Sequence, residues 1–342
     1  MPHSAAVIPA AKAPLEVQEV ETPQLGPNEL LVQNELIGLV PIDAKIAKLG
    51  VFPIPYPSIL GTSYGGTVSA VGSAVTGFKV GDKVAAAKSP TAEGNQYGAF
   101  QKFVVARDNT TSKLPDTVAD LNGPVGSIGN LTTVVGLFNA HAGLDRPDPN
   151  TKAPSNGKKV LVYGGTSSFG SLAAQYVAQA GYDVVTTTSP KHASFVSRLG
   201  AVKVVDHTQS QEDIIKALVA EGPYHLVVDS ISLPDTVKIA GAVLAAQGGG
   251  KIYALLPPFG QDDLPEGVTR EFGAWSAVLG EKENEELLRW AFGTYFAQAA
   301  GGGKLLPLPV RKVSGGLGGL NEALDLLYRG VSGLKVAVDP RE

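Results

Sequence analysis

Seven residues near the middle of the chain, Gly164-Gly165-Thr166-Ser167-Ser168-Phe169-Gly170, combine three glycines with three hydroxyls. Gly164 and Gly165 allow a tight turn and close approach of backbone to a ligand. Gly170 allows a helix to pack near the strand before it. N–H groups at a helix start, with the hydroxyls of Thr166, Ser167 and Ser168, suit the oxygens of a pyrophosphate. The surroundings agree: "VLVYG" reads as a strand and "SLAAQYVAQAG" as a helix. The plain alternative is an ordinary glycine-rich strand-to-helix turn.

A site for NAD places an Asp or Glu about 20 residues further on, to bond the ribose 2′-hydroxyl. This chain has "VVTTTSPKHASF" there, with Ser189, Lys191 and His192 and no acid. Hydroxyls and cations suit a 2′-phosphate, so the expected cofactor is NADPH and not NADH. His207, closing a later strand, is placed to reach the same adenosine end. A solvated turn carrying a lysine is the bland alternative. By position, Ser230 is expected near the nicotinamide-side phosphate or ribose. Leu255 and Leu256 are expected to line the nicotinamide ring. Plain sheet-end packing competes with each of these.

Such residues need a scaffold that gathers strand ends. From 158 to 256 the chain alternates short apolar strands ("KKVLVYG", "YDVVTTT", "VKVVDH", "HLVVDS", "GKIYALL") with helix-like segments. Strands apolar throughout are those of a parallel sheet covered on both faces, and the alternation predicts a doubly wound α/β domain. From about 1 to 120 the texture is of short strands and glycine turns, which suggests a compact β domain. After 280 the text predicts a helix over "EKENEELLRWAFGTYFAQAAGGG", a strand at "KLLPLPV", a helix over "GGLNEALDLLYRG" and a final strand at "GLKVAVDP". A length of 342 residues favours two domains.

Composition narrows the function classes. Net charge is −4 and no basic stripe stands out, so nucleic acid is not an expected partner. No apolar run reaches the roughly 18 residues of a membrane span. The opening "MPHSAAVIPAAKAPLEV" shows neither a signal-peptide core nor an Arg-rich transit pattern, and the expected location is cytoplasmic. There is no cysteine, and none of the five histidines (3, 141, 192, 207, 225) is four residues from another. Neither a thiolate nucleophile nor a helix-borne metal site is expected.

With these motifs on the page, the chain resembles the medium-chain dehydrogenase/reductase superfamily. The likeness is to its zinc-free branch of quinone oxidoreductases and fungal trans-acting enoyl reductases. "GLVPIDAKIAKLG" (38–50), "LGTSYGGTVSAVGSAVTGFKVGDKV" (60–84), "VLVYGGTSSFG", "TTTSPK", "GKIYALLP" and "VSGLKVAV" carry the likeness over nearly the whole length. It implies a GroES-like catalytic domain at 1–123, completed by 281–342, and an NADP-binding Rossmann domain at 124–280. Pro41, Ser332 and Lys335 would approach the cofactor. Zinc relatives would have cysteine near Val40, His-Glu at Thr62–Ser63 and a four-cysteine lobe, none of which is present. Relatives without zinc often keep an acid where Ser63 stands and a tyrosine where Phe52 stands. Some members dimerise through a strand near 270–280, and others are monomers. Trans-acting reductases serve chains tethered to a carrier protein, though no docking face is legible here.

Without a Lewis acid, the expected acceptors are already activated: quinones, or C=C bonds conjugated to a carbonyl in an enone or enoyl thioester. Hydride addition to such a C=C bond leaves an enolate that needs hydrogen-bond donors and then a proton. Lys45 and Thr132 match family residues near the substrate. A surface lysine and a threonine bonded within its own helix are the plain readings. Tyr64 and Tyr56 offer phenol hydroxyls, more often pocket wall or core. Asp43 is expected to orient Lys45 or to cap the helix after Pro41. The rival class is a non-catalytic NADPH-binding sensor or partner subunit.

Overall fold

Alternation sets the first strands. β1 (Pro2–Ile8) and β3 (Glu29–Leu39) both carry inward apolar residues, and β3 becomes continuously buried toward Leu39, where strands and helices cover both faces. The computed structural model describes residues 2–342, which fall into two compact units. One comprises the chain up to Gly136 with Ser276–Glu342; the other is Leu137–Trp275.

The first unit begins with β1, β2 (Glu16–Glu21), β3, α1 (Pro41–Leu49), β4 (Ser58–Ile59), β5 (Ser63–Val71), β6 (Lys83–Ala87), β7 (Phe103–Arg107) and β8 (Thr111–Lys113). Pro41 opens α1 with a ring already set for helical φ, and Gly50 ends it in the left-handed region at φ 66°. The helices α2 (Asn122–Ile128) and α3 (Leu131–Val135) follow, and α2 packs on β3, β5 and β6. That packing keeps the chain in the first unit through Gly136, beyond the 123/124 division drawn from the sequence.

The second unit runs β9 (Lys159–Tyr163), α4 (Ser168–Gln179), β10 (Asp183–Thr188), α5 (Ala193–Arg198), β11 (Ala201–Asp206), α6 (Gln211–Glu221), β12 (Leu226–Asp229), α7 (Pro234–Ala246), β13 (Gly250–Ala254) and β14 (Val268–Phe272). All neighbours are parallel, in the order β11-β10-β9-β12-β13-β14. In chain order this is 3-2-1-4-5-6, the doubly wound arrangement, with its switch point between β9 and β12. Leu161, Val185, Val227 and Ile252 meet Ile214, Leu218, Val243 and Leu244 of the covering helices in one buried cluster. Each such side chain contributes roughly 1.5–3 kcal/mol by leaving water.

The chain then returns to the first unit as α8 (Glu285–Trp290), α9 (Ala297–Gly301), β15 (Val310–Val313), α10 (Leu320–Arg329) and β16 (Lys335–Val338). The helix expected after 280 is divided by a wide π-helical turn at Ala291–Phe296. The strand expected at "KLLPLPV" forms later, at Val310–Val313, because Pro307 and Pro309 lack the N–H groups a ladder needs. β16 lies between β15 and β3, so a strand from near the C-terminus sits inside the large sheet. Among the described residues no helix is long and apolar enough to cross a membrane.

Candidate active site

In the second unit, the turn from β9 to α4 is built so that only glycine fits. Gly164 has φ 88°, and a Cβ there would stand 2.7 Å from Ser230 Oγ. A Cβ on Gly165 would meet Thr186 Oγ1 at 2.4 Å, and one on Gly170 would meet the Gly164 carbonyl at 2.2 Å. Ser167 caps α4 by accepting the Gly170 N–H at 2.8 Å. Several of the turn's N–H groups are used internally. Gly164 donates to Thr187 Oγ1 and Gly165 to the Thr187 carbonyl, each at 2.9 Å. The glycines therefore shape the cradle, and the start of α4 supplies its positive end. A Cβ on any of the three would strike the chain itself, so glycine is what lets β9 turn this tightly into α4, and the helix start it brings round has the N–H groups and hydroxyls that suit a pyrophosphate.

The end of β10 carries the residues expected at the adenosine. Thr188 is buried, Ser189 half-buried and Lys191 exposed. Thr166 and Thr188 bring their hydroxyls to 3.3 Å. Burial, then the Lys191 charge, hold the His192 imidazole below its usual value. His207 is exposed, with its backbone N–H on the Thr188 carbonyl at 3.1 Å. Asp206, unweighed in the sequence, ends β11 beside Thr188 and is occupied by the Thr208 N–H and hydroxyl at 2.8 and 2.7 Å.

Ser230 lies at the glycine turn. Its hydroxyl donates to the Tyr163 carbonyl at 2.5 Å and lies 2.8 Å from Ser167 Oγ, so it stitches the end of β12 to the glycine turn. Leu255 and Leu256 follow β13 as half-buried residues whose backbone is held: Leu255 N–H by Ser232 Oγ, Leu256 carbonyl by Arg270.

In the first unit, Lys45 lies on α1, half-buried, and burial lowers its ammonium pKa. Asp43 is fully buried and accepts the Val40 N–H at 2.9 Å, which caps α1 as expected. Desolvation pushes its carboxyl up to about 7, against the pull of the Val40 bond, Lys335 and Lys88. Lys335 is buried too, brought down to about 8 by desolvation and opposed by Asp43. Its side chain packs against Gly126 of α2, in the interior of the first unit. Ser332 is exposed in the turn before β16, and Pro41 is exposed at the first position of α1. Thr132 sits in α3 at 7% exposure.

Tyr64 is corrected by the structure. It lies in the core beside Ile37, Val68 and Phe100, fully shielded, with its hydroxyl 3.4 Å from the Val105 carbonyl. Burial pushes its pKa well above the ordinary tyrosine value, so it has neither the access nor the acidity of a proton donor. Ser63 is buried and donates to the Val125 carbonyl at 2.8 Å, and Gly129 packs against its Cβ. Phe52 is 54% exposed and held at φ 63°, a strained setting for a bulky residue.

Sequence reading missed several groups. Asp229 and Ser232 are buried and networked at the end of β12; the sign available was an acid closing the apolar run "HLVVDS". Lys88 is half-buried with its pKa lowered by desolvation, and the Thr62 hydroxyl is buried with no partner among the described residues. No sequence pattern marks either. Among the described residues no three His, Cys, Asp or Glu side chains gather as a metal site.

Residues 26–116 match the alcohol dehydrogenase GroES-like domain family. The chain is 32% identical to dehydrogenase azaJ of Aspergillus niger, over 98% of each chain. It is 31% identical to the trans-enoyl reductase himH of Aspergillus japonicus, over 91% of this chain and 89% of that one. The fold is that of Escherichia coli quinone oxidoreductase complexed with NADPH: TM-score 0.74, 21% identity, 99% of this chain and 100% of that chain covered. The chain belongs to the medium-chain dehydrogenase/reductase superfamily, as an oxidoreductase of the branch that holds the quinone oxidoreductases and fungal trans-enoyl reductases.

Proposed function

We propose that this oxidoreductase uses NADPH, without zinc, to reduce a quinone or a C=C bond conjugated to a carbonyl. The observation that carries the reading is the β9–α4 cradle at the switch point of a 3-2-1-4-5-6 sheet, followed at the end of β10 by Ser189, Lys191 and His192. The NADPH complex of the similar quinone oxidoreductase supports it, as do the trans-enoyl reductase relatives.

When bound, the reduced nicotinamide would supply a hydride. The chain's own residues do the rest. Ser167 and the start of α4 hold the pyrophosphate, and Ser189 with Lys191 binds the 2′-phosphate. In C=C reduction the hydride adds to the β-carbon, the π electrons move to the carbonyl oxygen, and an enolate forms. Thr132 donates a hydrogen bond to that oxygen, and Lys45, its pKa lowered by burial, gives the α-carbon its proton.

The test is a pair of titrations followed by turnover on a chelator-treated sample. NADPH should bind at least about tenfold more tightly than NADH. Phenanthrenequinone, a simple enone and an enoyl thioester then separate the acceptor classes. Equal affinity for NADH would overturn the NADPH assignment. Activity lost on chelation would overturn zinc independence. Tight NADPH binding without turnover on any acceptor would favour the non-catalytic sensor.

A further inference from the structure

Three loops leave the carboxyl edge of the second unit's sheet: the glycine turn after β9, Ser230–Leu233 after β12, and the segment from Leu255 after β13. A buried polar network ties them together. Asp229 closes β12 with no exposed surface. Its Oδ1 accepts the N–H groups of Ile231 and Ser232 at 2.9 and 2.8 Å, and its Oδ2 accepts the Thr236 hydroxyl at 2.6 Å. The carboxylate thus folds the chain back on itself, and Ser232 is driven to φ 58°. A serine held in the left-handed region persists only where its surroundings dictate it. Here they do. The Ser232 hydroxyl donates to the Asp229 carbonyl at 2.6 Å and accepts the Leu255 N–H at 2.8 Å.

Arg270 of β14 closes the far side. Its Nη2 donates to the Leu256 carbonyl at 2.7 Å and reaches the Ser232 carbonyl at 3.4 Å, while Nη1 pairs with Asp262 at 2.8 Å. On the near side, Ser230 of the same turn is bonded to Ser167 and Tyr163. We infer that Asp229, Ser232 and Arg270 are positioning residues for the nicotinamide cofactor, holding the β12 and β13 loops and, through Ser230, the glycine turn in a single preset shape. This rests on the cofactor reading above. Loops already ordered lose less freedom when a ligand arrives, so the network should show itself in cofactor affinity.

Ser232→Gly is the cleanest probe, because it deletes the hydroxyl while relieving the strained φ. Asp229→Ala removes the acceptor for two N–H groups. Asp229→Asn is the rescue: its amide oxygen keeps those acceptors, and its NH2 can donate to Thr236 Oγ1, whose hydroxyl has the Leu233 carbonyl at 3.0 Å. Measured on the full chain, Ser232→Gly and Asp229→Ala should weaken NADPH binding about tenfold and raise KM for NADPH with kcat held within about twofold, while Asp229→Asn stays near the unmutated value. Hydrogen exchange should quicken at Leu255 in Ser232→Gly. If Asp229→Ala does not fold, Ser232→Gly decides alone. Faster exchange at Leu255 with unchanged NADPH affinity overturns the inference and leaves the cofactor reading standing. So does an Asp229→Asn variant as weak as Asp229→Ala. An unmutated protein that binds neither NADPH nor NADH removes the cofactor reading, and the inference with it.

Discussion

Lys45 and Asp43 stand two residues apart on α1, and burial shifts the two in opposite directions. Lys45 loses basicity through burial alone, so its protonated form disappears at lower pH than for a solvated lysine. If it delivers the proton, kcat for C=C reduction should fall as pH rises through that depressed value. Lys45→Met should lower kcat by about 10²-fold or more and erase the alkaline limb of the profile. A limb that survives in the variant removes Lys45 from the mechanism. Asp43 belongs to a buried pair of opposite charges with Lys335. Its carboxyl is raised to about 7, so the stability tied to its neutral form is whole below the unfolded pKa and lost as pH rises through 7. Lys335 is depressed to about 8, so its contribution is whole above the unfolded lysine pKa and lost as pH falls through 8. Unfolding free energy should therefore dip between these two values and flatten in the Asp43→Asn, Lys335→Met double variant. Each single variant should cost about 3–5 kcal/mol by leaving its partner's charge buried, and the double should cost less than their sum. Denaturant titrations across pH would show both effects, and additive singles would remove the coupling.

At the level of elements, the glycines divide into those that shape the chain and those that only occupy it. Gly170→Ala would drive a Cβ to 2.2 Å from the Gly164 carbonyl, lifting α4 off β9. A loss of about 2 kcal/mol or more is expected, with weakened NADPH binding. Gly293, exposed within the π-helical turn at Ala291–Phe296, has open space where a Cβ would go. Gly293→Ala should instead stabilise by about 0.4–1 kcal/mol, a sign difference that thermal melts resolve. The second unit was legible because β9, β10, β12 and β13 are β-branched, apolar runs separated by helices that end in glycine. The sixth strand, β14, was less so: "VTREF" is polar enough to pass for a loop. β15 was misplaced because Leu305–Leu308 is more apolar than Val310–Val313, and hydrophobicity misled where the prolines did not. At the site, the glycine cradle was legible because backbone shape leaves a compositional trace. The burial of Tyr64 and Lys335 depends on contacts far apart in sequence and leaves none, and the acid closing "HLVVDS" marked Asp229 without revealing its network's links to Leu255 and Arg270.

For the molecule as a whole, cofactor binding and folding are linked. NADPH at about 100 times its dissociation constant should add about 2.7 kcal/mol to the stability of whatever binds it. Hydrogen exchange mapped along the chain should place the added protection chiefly within Leu137–Trp275, the unit that carries the cradle. Protection spread evenly over 1–342 would argue against a ligand held by that unit.

The interleaving of β16 with β3 also bears on synthesis. Val336, Ala337 and Val338 pair with Leu39, Gly38 and Ile37, joining segments nearly three hundred positions apart. On a ribosome, the N-terminal part of that sheet must wait for codons 335–338, while Leu137–Trp275 can fold as soon as it emerges. A nascent chain stalled before Lys335 should therefore present a protease-resistant middle flanked by digestible arms, and a stop codon at that position should abolish soluble yield without touching any residue of the nucleotide cradle.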